Sequence, residues 1–452
     1  MTFQEPSAEF PRVLVVAHNP FSWEHNNGLL LSSLFQGWPP DCLAQIHVPS
    51  LTRIAPARDI CSRYWALTLG GLAEDTGGAE SRPAHDPKDA VERESWVRRG
   101  LVRATRGRRI QAAAEPVREW LYGRRSLLQG EGMDQVRAFR PDVILSTLGS
   151  LSMLRIARRL GQTLSVPVVP FFTDDWIHTS YRDAPGGALL RRQMNTEFRR
   201  VVDEAPARLV ISDGMAEEYA QRYTRTFLPF TRCVDADRFP PPTDHTGRTE
   251  LKLVYAGQVS LDRWRALQSV GRSLQELRTQ GIEGRLVIYT TPLHVQLYEE
   301  ALTRPPVMQV AGHVPSDTLP AVYEDADVLV HVESFRPDIA AYTRFSQSTK
   351  MAECLMSGRP LLGFGPGEGG SMRHIQASGG GLVVGEDSER ALTSSLRTLL
   401  TDAALRRRLG QAGRSFASRH HGSGAVRSRF RTVMTEASRS GADLSERSTL
   451  GL

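Results

Sequence analysis

The stretch from Ser348 to Val384 reads STKMAECLMSGRPLLGFGPGEGGSMRHIQASGGGLVV and holds the densest set of residues able to do chemistry. Ser348 or Thr349 can cap a helix that contains Lys350 and Glu353. The two charged residues are three apart, so they share a helix face. Lys350 falls in the first turn, where free backbone N–H groups and the positive end of the helix dipole also lie. That combination suits a diphosphate. Glu353, one turn on, could accept two hydrogen bonds from a ribose diol. The face then reads phosphate followed by sugar, the order in which a nucleotide presents them. A surface Lys–Glu pair capping an ordinary helix is the plainer account, and such pairs contribute little. The residues that follow argue against it. GRPLLGFGPGEGG is a strand and then a glycine-rich loop, a second approach to phosphates through Gly365, Gly367, Gly369 and Gly370. Backbone amides from Gly369 to Ser371 would add hydrogen bonds there.

The elements that must position these residues are short apolar runs alternating with helical patterns. Arg12 to Ala17 (RVLVVA) reads as a buried strand, followed by a polar loop that ends at Gly28 and then by a helix start, LLLSSLFQGW. This is the opening of a βαβ unit. Gly28 would let the backbone approach a phosphate or an acceptor, or would simply serve the turn into the helix. His18 and His25 lie in the same loop, where solvated histidines are the ordinary reading. Further strands are expected at Pro141–Ser146, Val166–Phe172 and Ala207–Asp213, with Leu148, Leu151, Leu154 and Leu160 near helical spacing. The strand at Val166–Phe172 ends in Thr173, Asp174, Asp175 and Trp176. Carboxylates at a strand's carboxyl end face the crevice where doubly wound sheets bind ligands. Asp174 or Asp175 could therefore accept hydrogen bonds from sugar hydroxyls; the alternative is a cap on the next helix. Trp176 reads as packing.

Pro240 to Arg248 has the composition of a linker, and after it the alternation restarts at LKLVYAG, RLVIYTT, VMQVAG, ADVLVHV and RPLLGFG. Repeated strand–helix alternation argues for parallel sheets in an α/β protein. We therefore expect a Rossmann-like domain over residues 1–240, a second over 241–420, and a C-terminal helix and tail over 421–452. Residues 71–128 stand apart as a basic insertion: Gly71 to Glu94 is turn-rich and reads as a mobile loop. Arg98 to Arg109 carries six arginines and no acid. Trp96, Trp120, Leu121 and Tyr122 lie nearby. Such a surface could rest on anionic lipid. His331 and Glu333, at the end of a strand, are further candidates for a site.

The order and spacing of these motifs resemble the retaining glycosyltransferases of GT-B fold, family four, from about residue 140 to residue 420. TKMAECLMSGRPLLGFGP looks like that family's donor-site helix and strand, S-K-x-x-E-Y-L-A-x-G-x-P-V-L-A. YAGQVSLDRW (Tyr255 to Trp264) looks like its G-R-L-x-x-x-K-G loop. Gly257 matches the glycine, Arg263 stands where the phosphate-binding lysine belongs, and Gln258 replaces the arginine. LPFTRCVDADRF (Leu228 to Phe239) resembles the P-N-G-V-D-x-x-x-F hinge through Val234, Asp235 and Phe239. LRTLLTDAALRRRLGQAGR is similar to the charged helix pair. Two features depart from the pattern. In the acidic pair E-x7-E, Glu353 matches the second acid but Phe345 stands at the first. Glu333 could substitute only by a different loop path. Where many members carry His-Asp, this chain has Thr173, Asp174 and Asp175.

The resemblance implies two Rossmann-like domains facing across a cleft. A nucleotide-sugar donor would bind the second domain, and a glycan or lipid-linked acceptor the first. Arg263 and Lys350 would neutralise the departing diphosphate, with hydrogen bonds from Ser348, Thr349, Gly257 and Gln258 around it. Transfer would retain anomeric configuration, with no metal and no cofactor. Two rivals stand beside it: a degenerate GT-B-like binding or scaffold protein, and a sugar-nucleotide epimerase.

Composition sets the outer limits. The chain has 452 residues, 40% apolar and 23% charged, so it can build cores and is not wholly disordered. Its 56 basic and 50 acidic side chains give +6, mildly basic. That suits anionic small molecules or lipid as well as nucleic acid, and no nucleic-acid motif accompanies it. Cys42, Cys61, Cys233 and Cys354 are scattered, with neither disulfide nor zinc spacing. The first residues lack the features of a signal peptide, and no apolar run is long enough to span a bilayer. A cytoplasmic protein, peripheral at the inner membrane face, is the expectation.

Overall fold

The computed structural model describes residues 10–24, 26–48, 54–75, 108–243, 245 and 247–449. It divides into two units, one of residues 1–229 with 429–452, the other of residues 230–428.

Among the described residues, the first unit has eight strands: β1 (Val13–Ala17), β2 (Leu43–His47), β3 (Arg63–Thr68), β4 (Gly71–Glu74), β5 (Val143–Thr147), β6 (Val168–Phe172), β7 (Leu209–Val210) and β8 (Leu228–Pro229). Their spatial order is β4-β3-β2-β1-β5-β6-β7-β8. All neighbours are parallel except β3 and β4. The helices are α1 (Asn26–Phe35), α2 (Arg108–Tyr122), α3 (Glu131–Phe139), α4 (Leu151–Leu164), α5 (Trp176–Thr179), α6 (Gly187–Glu204) and α7 (Asp213–Tyr223). Every residue of β1 is buried. A strand covered on both faces needs apolar side chains at every position, which is why VLVVA does not alternate. Ser150 caps α4 by accepting from Met153 N at 3.3 Å, and its periodic leucines face inward.

The second unit holds β9 (Leu251–Ala256), β10 (Gly284–Tyr289), β11 (Met308–Gly312), β12 (Val328–Val332), β13 (Leu361–Phe364) and β14 (Gly381–Val384). All pairs are parallel, in the order β11-β10-β9-β12-β13-β14. This is the 3-2-1-4-5-6 arrangement of a doubly wound sheet. Its helices are α8 (Arg263–Thr279), α9 (Pro292–Leu302), α10 (Leu319–Glu324), α11 (Pro337–Thr343), α12 (Met351–Met356), α13 (Gly370–Ser378), α14 (Glu389–Thr401), α15 (Ala403–His420) and the start of α16 (Ser423–Thr449). Leu267, Val270 and Leu274 of α8 pack with Leu392, Leu396 and Leu399 of α14 in one core layer. Met351, Leu355, Met372, Ile375 and Ala417 fill the other. The sheet is therefore sealed on both faces, and ligands can approach only at strand ends.

Several sequence expectations need correction. Gly71–Glu74 is not loop but an edge strand, fixed by antiparallel pairing with β3; residues 76–94 lie outside the described residues. Of Arg98–Arg109, residues 98–107 also lie outside them, and α2 starts at Arg108. The strand expected at Ala207–Asp213 shrinks to two residues, because Ser212 caps α7 through Met215 N at 3.2 Å. The division between units falls at 229/230, ahead of the linker-like 240–248 stretch. Residues after 230 already belong with the second unit: Val234 bridges Gly422 and exchanges backbone hydrogen bonds with His421 and Ser423.

Candidate functional site

In the second sheet the strand order reverses between β9 and β12, so their carboxyl ends flank the crevice where such sheets take ligands. Gly257 follows β9 and Glu333 follows β12. A side chain at Gly257 would overlap the Lys350 ammonium, so that ammonium rests against the Gly257 backbone. Lys350 Nζ also stands 5.7 Å from the centre of the Tyr255 ring. The Tyr255 hydroxyl donates to the Gln258 carbonyl at 2.6 Å and holds the loop in shape. Burial, followed by the nearby Arg263 charge, pulls the Lys350 pKa down to about 8. Lys350 is thus a cation at neutral pH with little competing solvent, suited to an anionic group.

Arg263 opens α8 and grips Glu333 with two hydrogen bonds, Nε to Oε2 at 3.0 Å and Nη2 to Oε1 at 3.1 Å. His331 Nε2 lies 3.2 Å from the same carboxylate. Burial alone would raise the Glu333 pKa, but Arg263 and His331 outweigh it and bring it to about 2. Glu333 also lines a narrow pocket with Ser346, Gly369, Gly370 and Ser371. Gly370 N donates to the Arg344 carbonyl at 2.8 Å, and Ser371 Oγ accepts from Ser348 N at 3.0 Å. The glycine-rich loop and the Ser348–Lys350 loop are thereby tied together beside Glu333.

The expected helix around Lys350 differs in detail. It begins at Met351, with Lys350 in the capping position and no side-chain cap bond. Ser348 contributes its backbone instead: its N donates to Ser371 Oγ at 3.0 Å and its carbonyl accepts from Met351 N at 3.1 Å. Lys350 and Glu353 do not share one open face. Glu353 is fully buried, and its Oε1 accepts from Arg232 Nη2 at 2.6 Å. Its Oε2 is buried without a hydrogen-bond partner among the described residues. Arg232 is a residue that the sequence reading passed over. The available signal was a guanidinium inside the mostly apolar FTRCV run, where a buried charge needs a partner. Phe345, at the place of the first acid, is buried too.

In the first unit, Asp174 and Asp175 do follow the carboxyl end of β6. Asp175 is buried and accepts from Tyr219 Oη at 2.9 Å and from Arg222 Nη1 at 3.3 Å. It is committed to holding α7. Asp174 Oδ2 accepts from Thr173 Oγ1 at 3.1 Å. Trp176 is buried against Phe198. Gly28 is not open to a ligand: its missing side chain is replaced by the Pro20 carbonyl and Ser22, within the first turn of α1. His25 lies outside the described residues. His18 sits against Gly149, where the first sheet also reverses order, and burial lowers its pKa. Among the described residues, no cluster of three His, Cys, Asp or Glu is placed to hold a metal.

Comparison with known proteins fits this geometry. Residues 263–431 match a family model described as glycosyl transferase-like. A search of curated proteins found no match. Sucrose-phosphate synthase from Thermosynechococcus elongatus superposes with a TM-score of 0.60 at 13% identity, covering 94% of this chain and 98% of that one. HepE of Anabaena, solved with UDP and glucose, gives 0.59 at 12% identity, covering 94% and 99%. WaaG, a glycosyltransferase involved in lipopolysaccharide biosynthesis, gives 0.56 at 12%, covering 93% and 99%. The fold is thus that of the GT-B glycosyltransferases, two Rossmann-like domains in one chain. The family match is confined to residues 263–431, most of the second unit.

Proposed function

We propose that the protein moves a sugar from a nucleotide-sugar donor to a glycan or lipid-linked acceptor, with retention of anomeric configuration. The observation that carries this reading is the meeting of Lys350, Arg263 and the glycine-rich start of α13 at the switch point of the second sheet. The two cations would bind the diphosphate and stabilise the charge that grows on it as the sugar leaves, beside the start of α13. Gly257, Gln258, Ser348, Thr349, Gly369, Gly370 and Ser371 complete the donor surface. Glu353, fully buried and paired with Arg232, would support the Lys350 turn from behind rather than meet the ribose itself. Asp174 is the first-unit carboxylate better suited to an acceptor hydroxyl, since Asp175 is held by Tyr219 and Arg222. Retention would need no enzyme nucleophile if the leaving phosphate itself takes the acceptor proton. No metal or other cofactor enters this scheme. HepE, of the same fold, binds UDP and glucose, which supports a donor of that class.

The acceptor side would lie at the cytoplasmic face of a membrane. Supporting this, Val117 and Trp120 of α2 are exposed beside Arg118, and Arg124 stacks on the Trp120 ring at 4.1 Å. No described helix is long and apolar enough to cross a membrane. A scaffold without turnover is the reading to beat, motivated by the missing first acid.

The test is a thermal-shift panel of UDP, GDP, ADP, CMP and dTDP on the wild-type protein and Lys350→Ala. A ligand that binds the native state raises its melting temperature by mass action. One nucleotide should do so in the wild type. The variant should lose at least tenfold in affinity, about 1.4 kcal/mol. No shift with any nucleotide at millimolar concentration would favour the scaffold.

A further inference from the structure

We propose that Glu333 is a positioning residue for Arg263 in the sugar transfer proposed above, on which this assignment rests. A guanidinium is a flat fork. Glu333 takes one edge of it, Nε and Nη2, with both carboxylate oxygens. Such a two-point grip fixes the plane of the group as well as its distance. The grip does not use Nη1, so the remaining corner of the fork is aimed in one direction.

The fold invests in this arrangement. Glu333 leaves the end of β12 with its backbone N donating to the Phe364 carbonyl at 2.9 Å. The next residue of that neighbouring chain segment, Gly365, has no room for a side chain: a methyl there would stand 2.8 Å from Glu333 Cβ. Both members of the pair are largely buried, at 18% and 10% side-chain exposure, so solvent does not loosen them. Among the described residues, the charged and titratable groups that act with Glu333 are Arg263, His331, Lys350 and Tyr255, with Arg344 and Glu368 on the same pocket. Arg263, Lys350 and Glu333 together sum to one positive charge. The site is therefore a restrained cation with an oriented donor, rather than two loose cations.

This separates binding from catalysis. Attraction of a diphosphate depends on total charge, which removing Glu333 would not reduce. Stabilising the leaving phosphate depends on a donor already in place when charge develops. An opposite role is conceivable for the same contact: Glu333 as an internal anion that the diphosphate must displace. The two roles differ in sign.

The experiment uses the full-length protein, UDP as the binding probe and UDP-glucose turnover as the rate. If the thermal-shift panel selects another base, the corresponding diphosphate and sugar nucleotide replace them. Glu333→Gln should lower turnover at least tenfold while the UDP Kd rises no more than threefold. Glu333→Asp should recover part of the rate. In an Arg263→Lys background, which has no fork to orient, adding Glu333→Gln should change turnover less than twofold. Tighter UDP binding with turnover intact would overturn the proposal in favour of the internal anion. Equal losses of binding and rate, or a full additive effect in the Arg263→Lys background, would also overturn it. Should Glu333→Gln not fold, Glu333→Asp with and without Arg263→Lys gives the same cycle. A wild-type protein that binds no nucleotide overturns the transfer reading itself, and this proposal with it.

Discussion

Lys350 owes its position to a glycine just past the end of β9. Its ammonium occupies the space that a side chain at Gly257 would fill. Gly257→Ala should therefore push the ammonium away while leaving β9 intact, since the backbone there needs no positive φ. We expect at least tenfold weaker nucleotide binding with a melting temperature within a few degrees of wild type. Isothermal titration with the nucleotide selected by the panel checks it. Unchanged binding would mean that the lysine is not held there for a phosphate. Glu353 illustrates the opposite case, a site candidate drawn inward. Its pairing with Arg232 makes both residues costly to change singly, by about 3–5 kcal/mol when a buried charge is left alone. Losses of activity in Glu353 variants will thus mix folding with chemistry, and Lys350 is the cleaner probe.

Between elements, the joint of α13 and α15 is polar and titratable. His374 and His421 are both buried, with their Nε2 atoms 2.8 Å apart. His421 Nδ1 lies 3.0 Å from Thr231 Oγ1, which can donate or accept, and 3.2 Å from the Arg232 carbonyl, which can only accept; a proton on Nδ1 satisfies both. His421 Nε2 is then the acceptor and His374 Nε2 the donor. A second proton on His421, at Nε2, would break this bond. Burial lowers the pKa of His374 to about 3 and that of His421 to about 4. Both sit below the unfolded value of about 6.5. Their contribution to stability is therefore complete above about pH 6.5 and declines as pH falls toward their folded values. At pH 5 each should cost about 2 kcal/mol. Urea unfolding between pH 7.5 and pH 5 measures this. His374→Gln keeps a donor that does not titrate, and should remove about half of the acid loss. An unchanged pH slope in that variant would exclude the pair as its source.

At the scale of the molecule, each unit has its own sheet with its own point of strand-order reversal, β1/β5 in one and β9/β12 in the other. The second carries both cations of the proposed donor site, whereas the first carries His18 against Gly149. Nucleotide should accordingly slow amide hydrogen exchange around Gly257–Arg263, Glu333, Ser346–Lys350 and Gly369–Ser371. The segments around β1, β5 and β6 should exchange as before. Hydrogen-exchange mass spectrometry with and without the selected nucleotide decides this. Protection confined to residues around His18 and Asp174 would assign the nucleotide to the first unit instead.

Local order is what the sequence determined by itself. Runs such as VLVVA and DVLVHV must be buried strands whatever surrounds them, and their alternation with amphipathic stretches leaves little besides parallel sheets. The glycine-rich stretch after a strand likewise announced the loop between β13 and α13. The edge strand β4 escaped notice because its polar, turn-rich neighbourhood hides a pairing that only β3 can satisfy. Tertiary structure alone decided where the charges go. Spacing placed Lys350 and Glu353 on one face, yet one ammonium found room at Gly257 and the carboxylate found Arg232, 121 residues away. Likewise Asp175 became part of the α7 anchor, and Gly28 filled with the chain's own carbonyl. A buried charge must be met by an opposite charge or a hydrogen bond, and its partner can come from any part of the chain that the fold brings near.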